Sequence, residues 1–242
     1  MLNTHRVRVL LSGFLSLLLM WSDGLYAADE KQSHCQNNLA SPIKNFCEVK
    51  PGVLWRGSRP DKAAAGWLIE HGVKTVINLE LLHDDMDEFV AANVTTDASY
   101  AVDYLRVKTW EPLYAVATAA ADKDVIQFIA VAQQAELPLY VHCRAGENRT
   151  GVMIAAYKIL IEGQTSEAEV DAILTEMQSY KGFWSDSTTR YIRNLVPRRD
   201  AFLEQAKRVT SEQPKKIVCH NGDCSALKKT VRINDKDALG SL

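Results

Sequence analysis

From Val53 onward the apolar residues of this chain fall into two alternating periods. Val53-Leu54-Trp55, Val73-Lys74-Thr75-Val76-Ile77-Asn78-Leu79, Tyr104-Leu105-Arg106-Val107 and Leu137-Pro138-Leu139-Tyr140-Val141 are short β-rich runs and predict strands. Between them the spacing turns helical. Pro60-Asp61 opens a helix over Lys62 to His71 that Gly72 closes. Asp122 reads as the N-cap of a helix reaching Ala135, with Val125, Phe128, Ile129 and Ala132 on one face. Val152 to Ile161 forms an apolar helix ended by Gly163, and Ser166-Glu167-Ala168-Glu169 is a capping box that starts another. Strands alternating with helices predict an α/β fold, a central and mostly parallel sheet flanked by helices. Asn221-Gly222, in a Lys- and Asp-rich C-terminal segment, predicts a small hairpin.

The first thirty residues follow another pattern. His5, Arg6 and Arg8 precede an apolar run from Val9 to Trp21, and Leu25-Tyr26-Ala27 ends on a small residue. That layout predicts a cleavable signal peptide over 1–27, because a membrane-spanning helix needs roughly 20 apolar residues and this run is shorter. The mature chain is then expected in the periplasm or outside the cell, with no stable membrane span. Its expected parts are an arm over 28–45, a catalytic domain over 46–208 and a tail or small hairpin over 209–242. Composition changes this little: 242 residues, 47% hydrophobic and 24% charged, suit a packed core and not a disordered chain. A net charge of -2 offers no basic excess for nucleic acid.

The cysteines change the picture more. Cys35 and Cys47 lie toward the N-terminal end, in the arm and at its junction with the domain, Cys219 and Cys224 lie in the C-terminal tail, and Cys143 stands alone in the middle. In an oxidising compartment the four flanking cysteines are expected in two disulfides, in any of three pairings. Zinc is the competing reading, weakened because only His220 lies near Cys219 and Cys224.

Cys143 stands in a turn between strand and helix: His142-Cys143-Arg144-Ala145-Gly146-Glu147-Asn148-Arg149-Thr150-Gly151. Successive N–H groups in such a turn can converge on an anion, and the following helix adds unpaired N–H groups and the positive end of its dipole. Gly146 permits backbone that a side chain would hinder. Arg149 brings a planar fork that can hold two phosphate oxygens. A thiol at the bottom of that cradle is suited to act as nucleophile. Thr150 can donate to its sulfur, and His142 orients the loop. Arg144, Ala145, Gly146, Glu147, Asn148 and Arg149 are then the phosphate-binding positions. A buried structural thiol, the plainer reading of Cys143, leaves Arg149 unexplained.

The string His-Cys-x-x-Gly-x-x-Arg-Thr-Gly resembles the signature of the cysteine-dependent protein tyrosine phosphatases. The short layout is similar to their dual-specificity branch, especially its secreted bacterial members, over roughly Phe46 to Leu203. A second marker, Leu54-Trp55-Arg56-Gly57-Ser58-Arg59-Pro60, is similar to the Tyr-Arg-small-x-x-Pro segment of bacterial members. The resemblance implies the fold of that branch and hydrolysis of phosphotyrosine, with phosphoserine and phosphothreonine as further substrates. It implies a phosphocysteine on Cys143, with Arg149 and the N–H groups of 144–149 on the equatorial oxygens. Substrates would be phosphorylated proteins or small phosphomonoesters, with no cofactor and no metal.

A general acid must protonate the leaving oxygen, and the family places an Asp for it about thirty residues before the cysteine. This chain departs there. Trp110-Glu111-Pro112 occupies the place, so Glu111 is the candidate acid; a solvated loop carboxylate is its plain alternative, and Asp103, Asp122 and Asp124 are the others. Glu147 offsets Arg144 in the loop, which disfavours highly charged substrates. An inositol-phosphate or phospholipid phosphatase is the rival enzyme, and a phosphate-binding pseudophosphatase the rival outside enzymes. Arg190, Arg193, Arg198 and Arg199 read as a solvated face or as a contact for an acidic peptide.

Overall fold

The computed structural model describes Cys35, residues 39–92, Val94, and residues 99–110, 113–180, 185–209 and 213–227. The signal peptide read at 1–27 and the acid read at Glu111 lie outside the described residues. Seven strands, β1 (Cys47–Lys50), β2 (Leu54–Ser58), β3 (Thr75–Glu80), β4 (Tyr100–Thr109), β5 (Leu139–Cys143), β6 (Lys215–His220) and β7 (Asp223–Leu227), form one sheet in the order β1-β2-β5-β3-β4-β6-β7. The inner strands β2, β5, β3 and β4 are parallel. The edges are antiparallel: β1 on one side, the β6–β7 hairpin on the other.

Side chains alternate across this sheet, and the alternation sorts the two cores. Leu54, Ile77, Leu79, Val107, Val141 and Cys143 face a layer that includes α4 (Thr118–Ala132), α5 (Asn148–Ala156) and α6 (Glu167–Gln178). α3 (Leu113–Val116), α7 (Asp186–Arg193) and α8 (Arg199–Arg208) are further helices among the described residues. Trp55, Val76, Tyr104 and Tyr140 face the opposite way, onto α1 (Lys62–Glu70) and α2 (Met86–Val90), where Leu68, Ile69 and Phe89 are fully buried. Strands covered on both faces must be apolar at nearly every position, which is why these runs stood out in the sequence.

Caps set the helix starts. Asp61 accepts from the Ala64 N–H at 2.8 Å to begin α1, and Ser166 with Glu169 makes the expected capping box of α6. The reading of Asp122 as an N-cap needs correction: α4 begins at Thr118, and Asp122 lies inside it. Its carboxylate accepts from Arg198 at 2.7 Å and from Tyr191 at 2.9 Å, so distant partners rather than its own helix terminus use the oxygens. β4 is longer than its apolar centre because β6 pairs with its first half, Tyr100 to Tyr104. Asn221 and Gly222 both hold positive φ, at 50° and 85°, and the expected hairpin turns there. It lies on the sheet, burying Ile217 and Cys219.

Each flank carries its own disulfide, Cys35 to Cys47 and Cys219 to Cys224, and Cys143 is free and buried. Among the described residues no helix is long and apolar enough to cross a membrane.

Candidate active site

The C-terminal ends of the parallel strands are the usual ligand-binding edge of such a sheet. β5 ends there at Cys143, and its turn feeds directly into α5. Unlike α1, α6 and α7, α5 receives no side-chain cap, so its first N–H groups are not taken by a residue of the chain's own cap.

The loop's carbonyls are held from outside, one by one. The Arg59 N–H donates to the Arg144 carbonyl at 3.3 Å, and Asn45 Nδ2 donates to the Ala145 carbonyl at 2.8 Å. Arg56 Nη2 donates to the Gly146 carbonyl and makes a longer contact, 3.5 Å, with that of Glu147. A peptide whose C=O is fixed outward turns the next residue's N–H the other way. No backbone hydrogen bond among the described residues consumes the N–H of Arg144, Ala145, Gly146 or Glu147. These N–H groups, next in sequence to the Cys143 end of β5, are therefore not used by the backbone.

Gly146 has φ +70°, and a Cβ there would run into the Gly57 backbone and lie 2.6 Å from Ser58 N. A Cβ on Gly57 would lie 2.5 Å from Tyr140 Oη and 2.8 Å from Ile43 Cγ2. The two sequence markers are therefore the two sides of one close backbone contact.

His142 points to the opposite face of the sheet and is fully buried. Its Nε2 lies 3.1 Å from Asp85 Oδ2, while Asp85 Oδ1 accepts from Tyr104 at 2.5 Å and Asn78 at 2.6 Å. Burial alone would raise the Asp85 carboxyl; the His142 charge, with hydrogen bonds from His142 and Tyr104, outweighs it and brings the value to about 2. Nearer the loop, Arg59 binds Glu80 through Nε at 2.7 Å and Nη2 at 2.5 Å. Burial pushes the Glu80 carboxyl up, yet Arg59, followed by the charges of His142 and Arg149, holds it below its ordinary value. Arg149 opens the first turn of α5 and also acts on the buried Tyr114 hydroxyl. Thr150 is fully buried, and its hydroxyl has no hydrogen-bond partner among the described residues, so the expected donation to the Cys143 sulfur is not made in this arrangement.

Two of the alternative acids are spoken for. Asp103 pairs with Lys216 at 2.7 Å and sits opposite Thr75, which itself pairs with Leu139. That is four residues from Cys143, about 13 Å along the strands. Asp122 is held by Arg198 and Tyr191. Asp124 differs: burial, only partly opposed by Lys123, raises its carboxyl to about 6, and its charge reaches Tyr114. Of the arginines, Arg193 bridges to Asp171 at 2.5 Å, and Arg190 and Arg198 line a cleft of about 360 Å³ with Tyr114, Thr118 and Asn194.

Sequence reasoning missed three contributors. Arg56 was quoted as part of a marker without a role. Asn45, at φ 56°, reaches across a sequence separation of 100 residues, and no local signal announces that. Asp85 sat in an acidic stretch, where only the topology could single it out.

Residues 41–191 match the family described as DSP-PTPase phosphatase fused to NAD+ kinase. The dual specificity protein phosphatase TpbA of Pseudomonas aeruginosa is 26% identical over 188 residues, 76% of either chain. Phosphatidylglycerophosphatase and protein-tyrosine phosphatase 1 of Mus musculus is 29% identical over 103 residues, 38% of this chain and 53% of that one. The solved core catalytic domain of the PP-IP phosphatase SIW14 from S. cerevisiae shares the fold, with a TM-score of 0.50 at 17% identity over 69% of this chain and 94% of that one.

Proposed function

The chain belongs to the family of DSP-PTPase phosphatases, and from that premise we propose that it hydrolyses phosphomonoesters, phosphotyrosine foremost, through a phosphocysteine on Cys143. The observation that carries this reading is the outward fixing of the carbonyls of residues 144–147, which leaves converging donors beside the thiol. Cys143 attacks phosphorus in line, and the P–O bond to the leaving group breaks as Glu111 protonates that oxygen. Arg149 and the loop N–H groups hold the remaining oxygens. Glu111 then takes a proton from water, which cleaves the S–P bond and releases inorganic phosphate.

Two disulfides, each within one flank, support a periplasmic or extracellular location after removal of residues 1–27. One feature bears on the group that carries the phosphate. Leu81, Leu82 and Trp110 follow the ends of β3 and β4 and are 42%, 93% and 52% exposed. Arg106 anchors that rim, donating to the carbonyls of Glu80, Leu81 and His83 at 2.8, 3.3 and 2.8 Å. An apolar rim suits a phosphate carried by an apolar group, a phenol ring or a phospholipid.

Initial rates on p-nitrophenyl phosphate, a phosphotyrosine peptide, a phosphoinositide in micelles and a soluble inositol phosphate separate these substrates. Cys143→Ser is expected to abolish turnover and still bind phosphate. Retained turnover would refute the nucleophile, and absence of any released p-nitrophenol in single-turnover assays of the parent protein would leave only a binding module.

A further inference from the structure

Arg56 is the largest of the fully buried side chains, and its position in the fold is unusual for a cation. It shares the face of Leu54, in register with Val141, while Ser58 two residues on is in register with Cys143. The guanidinium thus lies under the start of the phosphate loop. It stacks at 3.7 Å on the Tyr180 ring, and Nη1 meets Met177 Sδ at 3.1 Å. Glu176, whose charge reaches it, is already held by Lys158 at 2.5 Å. Its Nε has no hydrogen-bond partner among the described residues.

Such burial is costly, because a desolvated cation needs compensation. Burial draws the Arg56 pKa below its ordinary value, opposed by Tyr180, Glu176 and Cys143. An apolar residue would fill the space between Leu54 and Val141 at lower cost. What that residue could not do is grip the Gly146 carbonyl from beneath; the Glu147 carbonyl, 3.5 Å from Arg56, already accepts from the Gly151 N–H at 2.7 Å.

We propose that Arg56 is a positioning residue for anion binding: it holds the Gly146 carbonyl away from the cradle, and its incompletely compensated charge favours a phosphate dianion above it. The inference rests on the reading of 143–149 as a phosphate loop. It gives the Leu54–Pro60 marker a function of its own, with Gly57 making room for the loop and Arg56 orienting it.

The test uses the Cys143→Ser protein, which binds without turnover, and calorimetric titration with inorganic phosphate. Adding Arg56→Met should weaken phosphate binding about tenfold, the effect of one partly screened charge together with a lost carbonyl clamp. Arg56→Lys keeps charge without the fork and should fall between. In the Cys143 protein, Arg56→Met should lower kcat/KM on p-nitrophenyl phosphate by at least about tenfold. A purely structural Arg56 would lower the melting temperature and leave phosphate affinity unchanged; that result overturns the inference. Should Arg56→Met fail to melt cooperatively, Arg56→Lys and Tyr180→Leu decide, since both keep a cation: weaker phosphate binding in either supports the role, and unchanged binding in both overturns it. Failure of the Cys143→Ser parent itself to bind phosphate would overturn the phosphate-loop reading, and this inference with it.

Discussion

Asp85→Asn is the substitution whose effect can be worked most fully from the structure. The carboxylate is fully buried, faces His142 Nε2 at 3.1 Å, and accepts from Tyr104 and Asn78. Its value falls from 3.8 to about 2 on folding. A folded value below the unfolded one means the stabilisation is complete above the unfolded value and is lost as pH falls through the folded one. At 1.36 kcal/mol per unit, the shift is equivalent to about 2 kcal/mol, present at neutral pH and lost between about pH 4 and pH 2. Asn keeps the shape and cannot titrate. Urea unfolding of parent and variant at steps from pH 7 to pH 2 measures the difference directly, and the subtraction cancels carboxylates outside this network, such as Asp171 and Glu204. The difference should hold constant down to about pH 4.5 and then shrink by about 2 kcal/mol by pH 2. A difference that stays flat across that window would refute an ionised Asp85 held beside His142.

Further outcomes follow from the same geometry. Gly146→Ala forces a side chain into left-handed backbone against Gly57 and should cost about 1–3 kcal/mol in thermal unfolding, with activity on p-nitrophenyl phosphate nearly lost; parent-like behaviour in both would disprove the close contact. Glu111→Gln should flatten the alkaline limb of the kcat/KM profile and hurt poor leaving groups most, because an acid must be protonated in the first step. If Asp124→Asn flattens that limb and Glu111→Gln does not, the acid is Asp124, already raised to about 6 by burial. Thiol titration of the native protein should count one free cysteine whose alkylation stops turnover; three or five would contradict the paired flanks.

What was legible in the sequence was local. The proposed phosphate loop is a contiguous string, so strand end, Gly146 and Arg149 could be read together. The inner strands are covered on both faces, so Val76, Ile77 and Val141 announced themselves by composition. The capping box at Ser166 needs only four residues. The support of the site was not legible, because Asn45, Arg56 and Asp85 act on partners about 57 to 100 residues away in sequence and carry no periodicity of their own. Asp122 shows the converse: its residue type suited a helix start, and tertiary partners Arg198 and Tyr191 claimed it instead.

The hairpin laid on β4 has a consequence for production of the protein rather than for its chemistry. Without it, β4 would present an open row of N–H and C=O groups, with Val102 and Tyr104 beside it, to any neighbouring chain. With it, the outermost strand is the short β7, largely exposed and carrying Asp223 and Ser225. The Cys219–Cys224 bond ties that cover across its own turn. Expression in a reducing cytosol leaves the cover untied, so the expected failure there is edge-to-edge aggregation. Inclusion bodies from such a preparation would report on a loosened sheet margin, while the turn after β5, whose strand is separated from that margin by β3 and β4, would be the last part to notice.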